Sequence, residues 1–317
     1  MTSNKPQKPH LEHWIFQSEL EMSRVHTRLV DQLNQAFSDI KRGLRPKQLI
    51  ENVIEMILKS LETNPWTLLR YIHDNQPPVY GVASNSVNCA LFGGVIYPYV
   101  KEQVGSLYLF TRAIILHDIG MLFLPNHILT KMGKLDDKER ASLETHPGMG
   151  YERLKEWGEP TEVLETAIEH HEEWNGKGYP RGISQEEIHP IARILAPILY
   201  LNALLTERPY RGSLVGYWSM KQILKETGTR FSPQSVKTIM NVLGLFPPGS
   251  LVLLTDGSVC RVMETVYAQP LRPKVRLLID AGGHPFLNET GPIIDLSTAK
   301  KLFIAKAISS QDIREQE

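Results

Sequence analysis

The hydrophobic period changes at Phe246-Pro247-Pro248-Gly249, and that change divides the chain into two kinds of structure. Upstream, apolar residues recur three or four positions apart, the spacing that lines one face of a helix. Met22, Val25, Leu29, Leu33 and Phe37 predict a helix over about Leu11 to Ile40. Ile50, Val53, Ile54, Ile57, Leu58 and Leu61 predict a second one after Pro46. From Trp66 to Leu243 the pattern stays helical, broken by loops at Asn75-Gln76-Pro77-Pro78, Trp174 to Gly182 and Arg208 to Gly212. Downstream, Leu251 to Leu254 and Val259 to Val266 flank Asp256-Gly257, and Val275 to Ile279 leads into Gly282-Gly283, which reads as hairpins. The expectation is a mainly α protein in three parts: N-terminal amphipathic helices (1–65), a helical domain (66–244), and a small β-rich domain (245–317) with a closing helix around Thr298 to Ile308. Residues 1–9 are polar and read as frayed. The N-terminal stripes either pack on the chain's own core or form a homodimer interface.

Composition narrows the function classes. The 317 residues carry 35 basic and 35 acidic side chains, so no basic surface for coating DNA is expected. Two cysteines, Cys89 and Cys260, make neither a disulfide framework nor a thiolate zinc site, which fits a reducing cytoplasm. No segment has the length or apolarity of a membrane span: the run from Ile194 to Leu205 is interrupted by Pro197 and Asn202.

The histidines are more telling. His117-Asp118 ends the apolar segment Ala113 to Leu116, His146 lies in Thr145-His146-Pro147-Gly148, and His170-His171 ends a segment with Val163, Leu164, Ala167 and Ile168. Continued helical spacing puts His171 on the stripe of Leu164, Ala167 and Ile168 and turns His170 about 100° away. Three histidine sites and an aspartate at the ends of core segments suit a divalent transition metal, since imidazole is a good ligand and a carboxylate can bridge ions. His127, His189 and His284 sit in polar stretches and read as solvent-facing. His10, His13, His26 and His73 follow no ligand spacing.

The segment Glu172-Glu173-Trp174-Asn175-Gly176-Lys177-Gly178-Tyr179-Pro180 completes a pattern. With His117-Asp118-Ile119-Gly120, Thr145-His146-Pro147-Gly148, Arg193-Ile194-Leu195-Ala196 and Glu207-Arg208-Pro209-Tyr210-Arg211, it strongly resembles the HD-GYP family, a branch of the HD metal-dependent phosphohydrolases. The resemblance runs from roughly Leu69 to Leu243. It implies an all-α domain of bacterial cyclic di-GMP signalling that holds iron or manganese and hydrolyses a phosphodiester with metal-activated hydroxide. Carried over by position, it implies His117, Asp118, His146, His170 and His171 as metal ligands, His117 and Asp118 at the catalytic centre, and Tyr179, Arg208 and Arg211 as substrate contacts. Guanidinium groups suit phosphate or a guanine edge.

Three family positions are lost. Asn85 stands where the family has a metal-binding His, Leu199 where it has an Asp ligand, and Met121 where it has a Lys. Gly81 replaces the glutamate that holds a third ion in some members. In the family's two-ion arrangement one ion depends on the early His, the His-Asp pair and the late Asp, and of these only His117 and Asp118 remain. The other set, Asp118, His146, His170 and His171, is complete. The resemblance therefore implies one ion rather than two. Three readings follow: a domain that keeps nucleotide or partner binding with weakened or lost phosphodiesterase activity, an active cyclic di-GMP phosphodiesterase, and a scaffold for signalling proteins with a collapsed site.

Overall fold

The computed structural model describes residues 11–63, 65–74, 81–131, 133–206, 216–286 and 290–308. Two long helices, α1 (Leu11–Lys41) and α2 (Lys47–Thr63), are followed by α3 (Pro65–Asp74) and α4 (Val82–Ile96). Next come α5 (Lys101–Val104), α6 (Leu107–Leu116), α7 (Asn126–Leu129), α8 (Asp137–Leu143), α9 (His146–Glu156) and α10 (Thr161–Glu169). The helical part closes with α11 (Pro190–Leu205), α12 (Gly216–Lys225) and α13 (Pro233–Leu243). None of these helices is long and apolar enough to cross a membrane.

Helix α4 is the axis of the bundle. Its sequence has no one-sided stripe because nearly every face is covered, with Ala83, Val87, Ala90, Leu91 and Ile96 all buried. Small residues let neighbours come close. A Cβ at Gly94 would lie 2.2 Å from a Leu61 methyl of α2, and one at Gly93 would lie 2.6 Å from Ile114 of α6. The stripe on α1, including Leu29, Leu33 and Phe37, joins the same hydrophobic core as α2, α4 and α6. Full burial of each such side chain is worth about 1.5–3 kcal/mol. Helices α2 and α6 are further joined through Arg112, which donates to Glu51 (3.0 Å) and makes two 2.6 Å bonds to Glu159 ahead of α10.

The C-terminal part is an antiparallel sheet of β1 (Leu251–Leu254), β2 (Val259–Glu264), β3 (Lys274–Ile279), β4 (Ile293–Asp295) and β5 (Ile304–Ile308), in the order β4-β3-β2-β1-β5. The β1–β2 turn is built by Asp256, whose carboxylate accepts from Ser258 N at 2.9 Å, and by Gly257 at φ 90°. The closing helix expected around Thr298 to Ile308 does not form: residues after Leu296 turn, and Ile304–Ile308 pairs with β1 through Leu251↔Ile308 and Lys306↔Leu253. The open edge of β1 offers a hydrogen-bonding ladder, which outweighs the helical propensity of an Ala- and Lys-rich segment.

The sheet has its own core of Phe246, Val252, Leu254, Cys260, Val262, Val275 and Leu296. It docks on the helices through stacked Tyr99 and Tyr267 rings (4.4 Å between centroids), an Arg70 to Met263 Sδ contact of 3.1 Å, and Ala268 N donating to Asn241 O at 3.1 Å.

Candidate functional site

Three helix ends meet around a cavity of about 250 Å³. His117 caps the C-terminus of α6 and Asp118 follows it. His146 opens α9, and His170 and His171 follow the last residue of α10. Helix ends are where backbone groups lack intrahelical partners. Here the carbonyls fix the imidazoles. The Nδ1–H groups of His117, His146 and His170 donate to Ile114 O (2.6 Å), Leu143 O (2.7 Å) and Ala167 O (2.9 Å), each three residues back. A carbonyl can only accept, so Nδ1 carries the hydrogen and Nε2 presents its lone pair to the cavity.

The Nε2 atoms converge. His146 Nε2 lies 3.2 Å from His170 Nε2 and 3.3 Å from Asp118 Oδ1. The buried Nε2 of His117 has no hydrogen-bond partner among the described residues. Two ligand groups result, His146-His170-His171 and His117-Asp118-His170, with ligand atoms within 4.8 Å of one another in each. Two facing lone pairs at 3.2 Å repel unless a cation lies between or beside them, and this spacing is what bonds of about 2.1 Å to a shared ion produce. The donor set of imidazoles and one carboxylate fits a divalent transition metal. Burial lowers the pKa of His117 and of His146 to about 4 and holds those of His170 and His171 well below the ordinary value, so near neutral pH all four are uncharged and able to act as ligands.

The placement of His170 corrects the helical extrapolation. His170 closes α10 with helical backbone (φ −64°, ψ −10°) and continues its buried face of Val163, Thr166 and Ala167, so it is not turned away from the core; it is buried, while His171 is half-buried against Tyr179, the two rings stacked 4.7 Å apart. Two glycines make the convergence possible. A Cβ at Gly120 would lie 1.8 Å from His146 O, so only glycine lets the turn after Asp118 touch the start of α9. A Cβ at Gly178 would lie 2.5 Å from His171 O or closer to Glu172 and Glu173. Glu172 staples this loop by accepting from Arg181 N (2.7 Å) and Gly182 N (3.1 Å), and the Tyr179–Pro180 peptide is cis. Burial raises the pKa of the Tyr179 phenol, which stays protonated.

The lost positions also border the cavity: Asn85, Met121 and Leu199 all line it. Asn85 is buried and its Oδ1 is already engaged. It accepts from Asn202 Nδ2 at 2.8 Å and lies 3.8 Å from Cys89 Sγ, whose S–H points to it. The chain of bonds continues from Asn88 Nδ2 to Asn202 Oδ1 (3.2 Å) and from His26 Nε2 to Asn88 Oδ1 (2.7 Å). His26, which followed no ligand spacing, therefore ends a buried polar chain linking α1, α4 and α11. Arg230, Glu173, Tyr200 and Phe231 line the cavity too and were not anticipated. The only sequence signal for Arg230 is a cation in the turn Thr227-Gly228-Thr229, just before the helix start at Ser232-Pro233.

Arg208 and Arg211 lie outside the described residues, as do residues 1–9 and the loop at 75–78. His127 and His284 are exposed, whereas His189 is half-buried and caps α11 by accepting from Ile191 N at 3.3 Å.

A helical domain that gathers four histidines and an aspartate at converging helix ends has the side chains of a histidine–aspartate metal centre. Residues 100–234 match a family model described as HD domain, and 251–316 one described as KOW domain associated with HD domain. The cyclic di-GMP phosphodiesterase PA4108 of Pseudomonas aeruginosa is 28% identical over 288 residues, 87% of this chain and 66% of that protein. The cyclic di-GMP phosphodiesterase response regulator RpfG of Xanthomonas campestris is 32% identical over 149 residues, 44% of this chain and 39% of that protein. Among solved structures, Bd1817, an HDG"Y"P protein from Bdellovibrio bacteriovorus, matches with a TM-score of 0.58 at 13% identity, covering 70% of this chain and 71% of that one, a likeness of fold. The chain therefore carries an HD domain, and its likeness in fold to an HD-GYP protein agrees with the resemblance carried by its motifs. It spans between 39% and 66% of the length of these two curated relatives.

Proposed function

We propose that this protein binds cyclic di-GMP or a related nucleotide in bacterial signalling through a one-ion site, with phosphodiesterase activity weakened or lost. The observation that carries this reading is the engagement of Asn85: its amide oxygen is held by Asn202 and Cys89, and Leu199 on the facing helix has no donor atom. Together they supply nothing to a second ion. The remaining set, Asp118, His146, His170 and His171 with His117 adjacent, suits one iron or manganese ion, which when bound lowers the pKa of water and polarises a phosphate.

The chain's own residues supply the rest. The Nδ1–H to carbonyl bonds lock the imidazole rings so that their lone pairs are presented without reorganisation. Asp118, a member of one ligand group and 3.3 Å from His146 Nε2 of the other, provides negative charge among the imidazoles. Tyr179, packed on His171, keeps its proton and is a hydrogen-bond donor at the cavity wall. A Lys that would add charge is replaced by Met121, so phosphate neutralisation falls to fewer groups. Removing one group that stabilises transition-state charge slows hydrolysis about 10²–10³-fold.

The active-phosphodiesterase reading keeps support from one observation, the convergence of all five ligand side chains in one cavity. A single assay separates the two. Protein reconstituted with manganese or iron under reducing conditions is mixed with cyclic di-GMP, and binding, linear and mononucleotide products and metal content are measured. The expected result is saturable binding, about one ion per chain, and turnover at least roughly 100-fold below that of a two-ion relative. Rapid turnover with two ions bound, or no binding, overturns the proposal.

A further inference from the structure

Arg230 stands at the cavity on a turn that is tied to the Tyr179 loop. Trp174 N donates to Arg230 O at 3.0 Å and Asn175 N to Thr229 O at 2.9 Å, so the turn and the loop move as one piece. The guanidinium is fixed at one end and on one face. Its Nε donates to Glu173 Oε1 at 2.9 Å, and its Cζ lies 5.0 Å from the ring centroid of Tyr200 and 5.5 Å from that of Phe231. No described residue accepts a hydrogen bond from Nη1 or Nη2, and the side chain is 40% exposed where it lines the cavity. Its positive charge is felt by both His171 and Tyr179. Tyr200 follows Leu199 on α11, so the guanidinium sits against the wall that lacks metal ligands.

A planar fork at a cavity wall, with no described acceptor on its two outer nitrogens, suits a phosphate, which it binds through two parallel N–H···O bonds. We propose that Arg230 is the phosphate-binding residue of this site: its Nη groups donate to the non-bridging oxygens of a phosphodiester and supply positive charge on the side where Asn85 and Leu199 leave no place for a second ion. Glu173 and Tyr200 act as positioning residues that hold the fork in its binding orientation, so little conformational entropy is lost when the anion arrives. The identity of the phosphodiester as a cyclic dinucleotide rests on the function proposed above.

The test is equilibrium binding of cyclic di-GMP, and separately of GMP, to full-length protein loaded with manganese, with metal content and thermal unfolding measured on every variant. Arg230→Gln is expected to weaken binding about 10- to 100-fold without changing metal content, and Arg230→Lys to recover part of the loss, because it restores charge without the fork. Glu173→Gln, which keeps an acceptor for Nε but removes its charge, is expected to weaken binding by only about 2- to 5-fold, less than Arg230→Gln. If cyclic di-GMP binds wild type and Arg230→Gln equally, or if Glu173→Gln weakens binding as much as Arg230→Gln, Arg230 is a tether only and this inference falls while the proposed function stands. Arg230-dependent binding of GMP with no binding of cyclic di-GMP keeps the role of Arg230 and overturns the proposed function. Binding of neither nucleotide overturns both.

Discussion

Replacing Asn85 by His and Leu199 by Asp together returns two donor groups to the wall of the cavity, and the outcome can be worked out from the bonds that are broken. Asn85 is buried and takes a 2.8 Å bond from Asn202 Nδ2. Without it, that N–H loses its acceptor in a dry site, at a cost of about 1–3 kcal/mol. The new carboxylate at 199 enters a cavity that already holds Asp118, and like charges in poor solvent add roughly 1–2 kcal/mol more. Unfolding entropy for 317 residues is about 0.7 kcal/mol/K, so the metal-free double variant is expected to melt about 3–7 °C below wild type. With manganese present, the same groups become ligands, and the deficit is expected to disappear as binding stabilises the folded state. Elemental analysis of dialysed protein should then rise from about one ion per chain to about two. Leu199→Asp alone should stay near one, because Asn85 still offers only an engaged amide oxygen. Two tightly held ions in wild type, or one ion in a well-folded double variant, would refute the reasoning.

Two further outcomes are expected. In chelator-treated protein, His117 and His146 stay neutral when folded down to about pH 4 but take up protons near 6.5 when unfolded; in that window the unfolded state binds more protons, so stability falls as pH drops. Each contributes about 1.4 kcal/mol per pH unit, giving a loss of about 4 kcal/mol between pH 7.5 and 5; a melting temperature unchanged over that range would contradict it. Asn202→Leu removes the centre of the buried polar chain, costs about 2–5 kcal/mol, and should shift the urea midpoint well below that of wild type, whereas an unshifted midpoint would mean the chain contributes nothing.

The side chains that converge in the cavity were readable because they sit in short runs whose neighbours are also diagnostic, as at His117-Asp118 and His170-His171. The helical bundle and the hairpins were readable from period alone. What escaped was set by tertiary structure. Asn85 and Asn202 are 117 residues apart and His26 and Asn88 are 62 apart, so no local pattern marks them as partners. The direction of His170 depends on which face of α10 is covered, and the buried face of Val163, Thr166 and Ala167 includes a polar threonine that an apolar stripe passes over. Arg230 is an ordinary turn residue until the fold brings it beside Glu173 and Tyr200.

The buried chain His26-Asn88-Asn202-Asn85 also bears on which mutational routes are open to this protein. Each member is donor or acceptor to the next, so replacing Asn85 or Asn202 removes a bond from the core. A route from one ion to two through Asn85 alone passes an intermediate that has lost a bond and gained no ion, because Leu199 still contributes nothing. The two arrangements are thus neighbours in sequence but separated by a valley in stability. A lineage that enters the asparagine-linked form is held there by its own packing.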